Sequence, residues 1–231
     1  MPLSRLAIIV MAKYPTPGKV KTRLMAELTA QQAADVHAVF LRHICARLAR
    51  LNSAELVLCF DPPDKAGAFR QLLDLSDLLT LLEQCPGDLG TRIAAASAAL
   101  FARHERLLFL GVDSPDLPLA HLFKAAELTE QAPVSLSPTI DGGYWSLGLS
   151  RGVQVEPLLH DIPWSSGQEA AATLKSAEVL GLTSVTGLAW DDVDHPPDLR
   201  RLLERLGRSD VAADQQLLSN LGHVLPAGWI S

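Results

Sequence analysis

The sequence predicts one α/β domain, a three-layer α/β/α sandwich around a mixed, mostly parallel sheet. Three observations predict it. Short apolar runs alternate with stretches of helical periodicity, which implies right-handed crossovers with helices on both faces of a sheet. Two of those runs are separated by only the five residues TIDGG, too few for a crossover, so one antiparallel pair interrupts the parallel order. The length of 231 residues, 48% hydrophobic and 20% charged, suits one sizeable core, with no linker, repeat or low-complexity tract to divide it. The expected domain spans residues 1–231, with its core in 5–207 and a C-terminal helix and tail in 208–231.

The first strand is LAIIVMA (6–12), short, wholly apolar and therefore buried. Residues 29–51 carry Ala33, Val36, Phe40, Ile44 and Leu48 at three-to-four spacing, an amphipathic helix with Thr29 placed to cap it. AELVLCF (54–60) and RLLFLGV (106–112) read as further strands, and PVSLSP (133–138) and YWSLGL (144–149) form the close pair. Helices fit 65–73, 91–103, 119–131, 168–180 and 197–206, and a short strand fits 183–189. A final helix fits 210–221, and the tail through Trp229 carries no pattern.

Charge excludes some functions. A net charge of -6 argues against nonspecific binding to nucleic acid or to an acidic membrane, both of which need broad positive potential. Cys45, Cys59 and Cys85 are odd in number and widely spaced, which suits a reducing compartment and gives no zinc or disulfide framework. The first apolar run is too short for a signal-peptide core or a membrane span, so the expected location is cytoplasmic.

Against that acidic background, Lys13, Lys19 and Lys21 are half of the six lysines, and with Arg23 they crowd into KYPTPGKVKTR (13–23). Like charges at short range repel unless an anion offsets the repulsion. A Pro/Gly-shaped cationic loop between a strand and a helix is where phosphate is commonly held; a solvated surface loop is the alternative. The loop lacks the glycine and Gly-Lys-Ser/Thr pattern of a P-loop, and no GxGxxG follows the strand. No HExxH pattern occurs anywhere in the chain.

Acids complete the pattern. Asp113 follows the strand RLLFLGV, at the carboxyl edge where open α/β sheets bind ligands, and a carboxylate there suits Mg²⁺ or Mn²⁺; Asp-Ser-Pro is also ordinary turn chemistry. In WDDVDHPPDL (190–199), Asp192 and Asp194 are two apart and project to one side of an extended chain, the arrangement a divalent cation favours. Asp194 could instead cap the helix that follows. Asp141-Gly142-Gly143-Tyr144-Trp145 reads first as a hairpin turn, and its glycines and aromatic pair could also wall a pocket. Asp88 and Gly90, in CPGDLGT (85–91), open a helix either as a close-contact loop for a base or ribose or as a plain cap.

Six motifs in this order, AKYPTPGKVKTRL, PGDLGTRI, GVDSPDLP, DGGYW, IPWS and DDVDHPPDL, resemble the bacterial family of radical-SAM/selenodomain-associated transferases. That family is placed in the GT-A superfamily of nucleotide-diphospho-sugar transferases and is similar to 2-phospholactate guanylyltransferases. The resemblance covers residue 6 to about residue 206. It implies a GT-A-like fold and a transferase that binds a nucleotide triphosphate or a nucleotide sugar together with a small, phosphorylated acceptor. It further implies that Lys19, Lys21, Thr22 and Arg23 meet the phosphates, that Gly18 permits the approach and that Lys13 steers. By the same resemblance Asp113, Asp192 and Asp194 hold Mg²⁺ or Mn²⁺, with Lys21, Arg23 and Asp113 as the catalytic set. The segment Asp141 to Trp145, with Trp164 and Ser165 of IPWS, would receive the acceptor. Two departures bear on acceptor identity: Trp145 stands where many relatives carry a second tyrosine, and His195-Pro196 replaces Thr-Pro. Glycosyl transfer and a noncatalytic nucleotide-sensing module are the competing readings.

Overall fold

The structure, a computed structural model, describes residues 4–51, 54–74 and 79–230. Seven strands form one sheet: β1 (Ser4–Lys13), β2 (Glu55–Asp61), β3 (Thr80–Glu83), β4 (His104–Leu110), β5 (Val134–Pro138), β6 (Tyr144–Ser150) and β7 (Ser184–Thr186). Their order is β3-β2-β1-β4-β6-β5-β7. Only β6 runs against the rest, pairing antiparallel with β4 and β5, while β1–β2, β1–β4, β2–β3 and β5–β7 are parallel. The mixed, mostly parallel sheet is the one the sequence predicts, with β4 at its centre.

The crossovers are α1 (Ala30–Leu48), α2 (Ala66–Leu73), α3 (Leu89–Leu100) and α4 (Leu119–Gln131); α5 (Val155–Leu159) and α6 (Glu169–Val179) lie between β6 and β7. Thr29 caps α1, its hydroxyl accepting the Gln32 N–H while the Gln32 side chain accepts the Thr29 N–H. Strand alternation sends Ile8, Val10, Leu58, Leu108 and Trp145 to one face, packed against α1, α2 and α4. Ala7, Ile9, Val57, Phe109 and Leu147 face the other way, against α3, α5 and α6. Among the described residues no helix is long and apolar enough to cross a membrane.

Three elements depart from the sequence reading. β3 and α5 were not expected, and β7 occupies only three residues of 183–189. The C-terminal pair α7 (Pro196–Gly207) and α8 (Ala212–Gly222) is no loose appendage. Leu199, Leu202, Leu217 and Leu221 are fully buried with Val36 and Phe40 of α1 and with Leu24. Leu24 belongs to the 3-10 turn Thr22–Ala26, directly after Arg23 and three residues past Lys21, so this third cluster anchors the end of the cationic loop.

Candidate functional site

Lys21 begins the site. It sits at the head of the 3-10 turn in the left-handed region (φ 47°, ψ 38°), a conformation that disfavours side chains other than glycine and holds only when neighbours fix it. The neighbours are evident. Its Nζ lies 2.6 Å from Asp113 Oδ1 and 3.3 Å from Asp194 Oδ1, and it donates to the Val193 carbonyl; the side chain is 4% exposed. Burial alone pushes the ammonium toward a lower pKa, but the two carboxylates outweigh it and hold the group above its ordinary value. Burial likewise opposes ionisation of Asp113, and the charge and hydrogen bond of Lys21 reverse the effect, leaving this carboxyl below its ordinary value.

Arg23 reaches Asp194 from the solvent side, with Nη1 2.6 Å from Asp194 Oδ2. Two loops carry the acids. Asp113 lies three residues past the end of β4, and Val193 N donates to its carbonyl at 2.9 Å, tying the loop after β4 to the segment before α7. Val193 is fully buried, so Asp192 and Asp194 flank a pinned residue, and both line the cleft. Asp194 is not the cap of α7: His195 holds that position, and Asp198 accepts the N–H groups of Asp194 (3.1 Å) and His195 (2.7 Å). Its carboxylate is thereby left for Lys21 and Arg23.

Above the carboxyl edge of the sheet opens a cleft of about 660 Å³. Asp113, Asp141, Asp192, Asp194 and Glu169 line it, so the wall is strongly acidic, with Arg23, Arg47 and His195 as basic members. Asp192 carries the electrostatic cost. Burial first, then the charges of Asp141, Asp194 and Asp113, push its carboxyl up to about 6. Among the described residues it has no ion-pair partner. Hard oxygen donors crowded this way suit a divalent cation in chemistry. They do not stand as a preformed centre, since among the described residues no three His, Cys, Asp or Glu side chains form a group that could hold a metal. Lys21 occupies the point where Asp113 and Asp194 converge.

The acceptor-side residues divide. Asp141, Gly143, Tyr144, Trp145, Trp164 and Ser165 line the cleft. Tyr144 and Trp164 rings meet edge to face at 6.3 Å. Trp145 lies mainly in the core, its Nε1 donating to the Leu188 carbonyl. Gly142 serves the hairpin: with φ +96°, it approaches Gly167 so closely that a Cβ would stand 1.9 Å from the Gly167 oxygen.

Other expected residues stand apart. Asp88 and Gly90 do not line this cleft. Asp88 caps α3, accepting from Thr91 N at 2.8 Å, and Gly90 packs where a Cβ would meet the Leu159 carbonyl at 2.7 Å. The cap is one of the two readings of CPGDLGT. Lys13 at the end of β1, Gly18 and Lys19 on the loop, and Thr22 at the start of the 3-10 turn are exposed. Glu169 and Arg47 were not foreseen. Glu169 is an isolated acid at a helix start, accepting from Ser166 N at 2.7 Å, and nothing local in the sequence distinguishes it from a routine first-turn acid.

Solved structures share this fold. A protein of Desulfovibrio desulfuricans G20, provisionally named a nucleotide-diphospho-sugar transferase, matches with a TM-score of 0.84 and 27% identity, over 96% of this chain and 97% of that one. CMP:2-keto-3-deoxy-manno-octonic acid synthetase complexed with CTP matches at TM-score 0.55 and 12% identity, over 89% and 99%. A Mycobacterium tuberculosis H37Rv protein in complex with manganese matches at 0.52 and 22%, over 87% and 99%. These neighbours bear out the GT-A-like fold expected from the motifs. No curated protein matches the chain. Residues 44–166, just over half of the sequence, match the family of uncharacterized proteins conserved in bacteria known as DUF2064, and the chain belongs to that family.

Proposed function

We propose that the chain is a divalent-metal-dependent transferase acting on nucleotide phosphates, and that it moves a nucleotidyl unit from a nucleoside triphosphate to a small acceptor. One observation carries the reading: the cationic loop and the acids, far apart in sequence, meet at the carboxyl edge of the central strand through Lys21, Arg23, Asp113 and Asp194. Half-exposed Arg23 meets phosphoryl oxygens from the cleft, and exposed Lys13 and Lys19 draw the anion in. Lys21 stays buried between Asp113 and Asp194 and holds the two acids together. Asp113, Asp192 and Asp194 would hold Mg²⁺ or Mn²⁺, which when bound supplies Lewis-acid polarisation of the phosphates.

The protein's own contribution is positioning and fixed charge. The acceptor enters between Asp141–Trp145 and Trp164–Ser165. Asp141, Asp192 and Glu169 make that end acidic, which suits an attacking hydroxyl of a small, phosphorylated acceptor. Support for nucleotide use comes from the neighbour complexed with CTP, and for a divalent cation from the neighbour in complex with manganese. Glycosyl transfer is the second reading, favoured by the name of the Desulfovibrio protein. Incubation with a panel of labelled nucleoside triphosphates and nucleotide sugars, with acceptor mixtures, separates the two. Diphosphate released from a triphosphate in step with acceptor labelling is expected. Turnover of nucleotide sugars alone would replace this reading with sugar transfer.

A further inference from the structure

We infer that Arg205 is a positioning residue that locks the loop carrying Asp113 to the segment carrying Asp192 and Asp194, and so sets the geometry of the acids. The inference rests on the metal-dependent reading above. Arg205 lies in the last turns of α7, outside every motif of the sequence, and does not line the cleft. Its guanidinium nevertheless spans both loops. Nε is 2.6 Å from Asp116 Oδ2 and Nη2 is 3.3 Å from Asp116 Oδ1, while Nη1 is 2.6 Å from Asp191 Oδ2. Asp116 follows Asp113 by one turn of chain, and Asp191 adjoins Asp192.

Trp190 completes the clamp, its Nε1 donating to Asp116 Oδ1 at 3.2 Å. The Asp116 side chain is 5% exposed, and both of its oxygens accept hydrogen bonds from these donors. Arg47 braces the same loop from α1, donating to the Pro115 and Leu117 carbonyls at 2.9 and 2.6 Å. A nonspecific apolar contact could stabilise two loops equally well, and buried ion pairs are often replaceable by apolar groups without loss of stability. What the planar fork adds is direction: it fixes two carboxylates, one on each loop, at set angles, which a lysine ammonium cannot reproduce. Residues that orient metal-binding groups from behind commonly alter metal affinity tenfold or more when replaced.

The test is Mn²⁺ affinity, read by electron paramagnetic resonance of free Mn²⁺ during titration of the full chain, for wild type, Arg205→Met, Arg205→Lys and Arg208→Met. Each protein is assayed below its own melting temperature. Arg205→Met is expected to weaken Mn²⁺ binding by about tenfold or more. That direction is diagnostic, because removing a positive charge near the acids would by itself tighten cation binding. Arg205→Lys keeps the charge without the fork and is expected to weaken binding too; it decides the matter if the methionine variant fails to fold. Arg208, an exposed partner of Glu204 on the same helix, should leave affinity unchanged. Wild-type affinity in both Arg205 variants, whatever their melting temperatures, would overturn the inference alone. No Mn²⁺ binding by wild type would remove the metal reading and the inference with it.

Discussion

Lys21 holds a left-handed backbone, a buried ammonium and two carboxylates in one place, and each of these is unfavourable without the others. Strain at such a residue is of order 1–3 kcal/mol and persists where surrounding contacts over-determine it. Buried charge recurs elsewhere with opposite consequences for pH. His43, 9% exposed with Nε2 unpartnered, is pushed down to about 4 by burial and then by Arg47. The unfolded chain then takes up a proton first, so this histidine favours folding above about pH 6.5, and its contribution, on the order of 3 kcal/mol, is lost as pH falls toward 4. Asp192 acts in reverse: with a folded pKa of about 6 the native state takes up the proton first, and stability declines as pH rises from about 4 to 6. Melting temperatures measured across pH 4–8 should therefore separate two variants. His43→Leu flattens the acid-side loss of wild type, whereas Asp192→Asn melts higher at pH 7 with the gap closing near pH 4. Parallel curves for all three proteins would contradict both assignments. At this scale the sequence revealed residue types and not partners. The lysine cluster and the acids were both visible as motifs, but Lys21 and Asp194 are 173 residues apart, and no local spacing could show that the ammonium stands between two acids.

Elements place these side chains through backbone contact as much as through packing. The β5–β6 hairpin lies against the loop before α6, with Ala170 N donating to the Gly142 carbonyl at 3.1 Å and a Cβ on Gly167 falling 2.8 Å from the Asp141 oxygen. Trp164 and Ser165 hang from that second loop. Gly142→Ala adds a clash with the Gly167 backbone to the strain of a positive φ, and Gly152 offers the control, having the same φ of +96° with nothing within 4 Å. Gly152→Ala should cost roughly 1–2 kcal/mol, the strain alone. Gly142→Ala should cost clearly more in thermal or urea unfolding; equal losses would show that the loops do not press together. Long periodic elements were legible, α1 with its Thr29 cap and α4 at its full length among them. What escaped was short. β3 has four residues on a sheet edge, too few to show alternation, and α5 has five with Pro157 inside it, a residue that ordinarily argues against a helix.

Across the whole molecule, the sheet order explains why one edge can hold both halves of a site. β1 and β4 are neighbours at the centre, so the loop after β1 and the loop after β4 emerge side by side, and α7 and α8 pack on α1 to press Leu24, with Lys21 and Arg23 around it, over that edge. A chain of net charge -6 thereby keeps one cationic loop directly above a group of acids. The fold class could be read from alternation, because a crossover sheet needs that rhythm; the role of α8 could not, because its buried face is defined by a helix nearly two hundred residues earlier. On the proposed function, this edge binds nucleotide phosphate together with a divalent cation. Calorimetric titration of a nucleoside triphosphate into the protein with Mn²⁺, repeated in EDTA and with Asp113→Ala, tests it directly. Binding should weaken at least about tenfold in EDTA and in the variant; affinity unchanged by both would mean a nucleotide-binding module without metal chemistry.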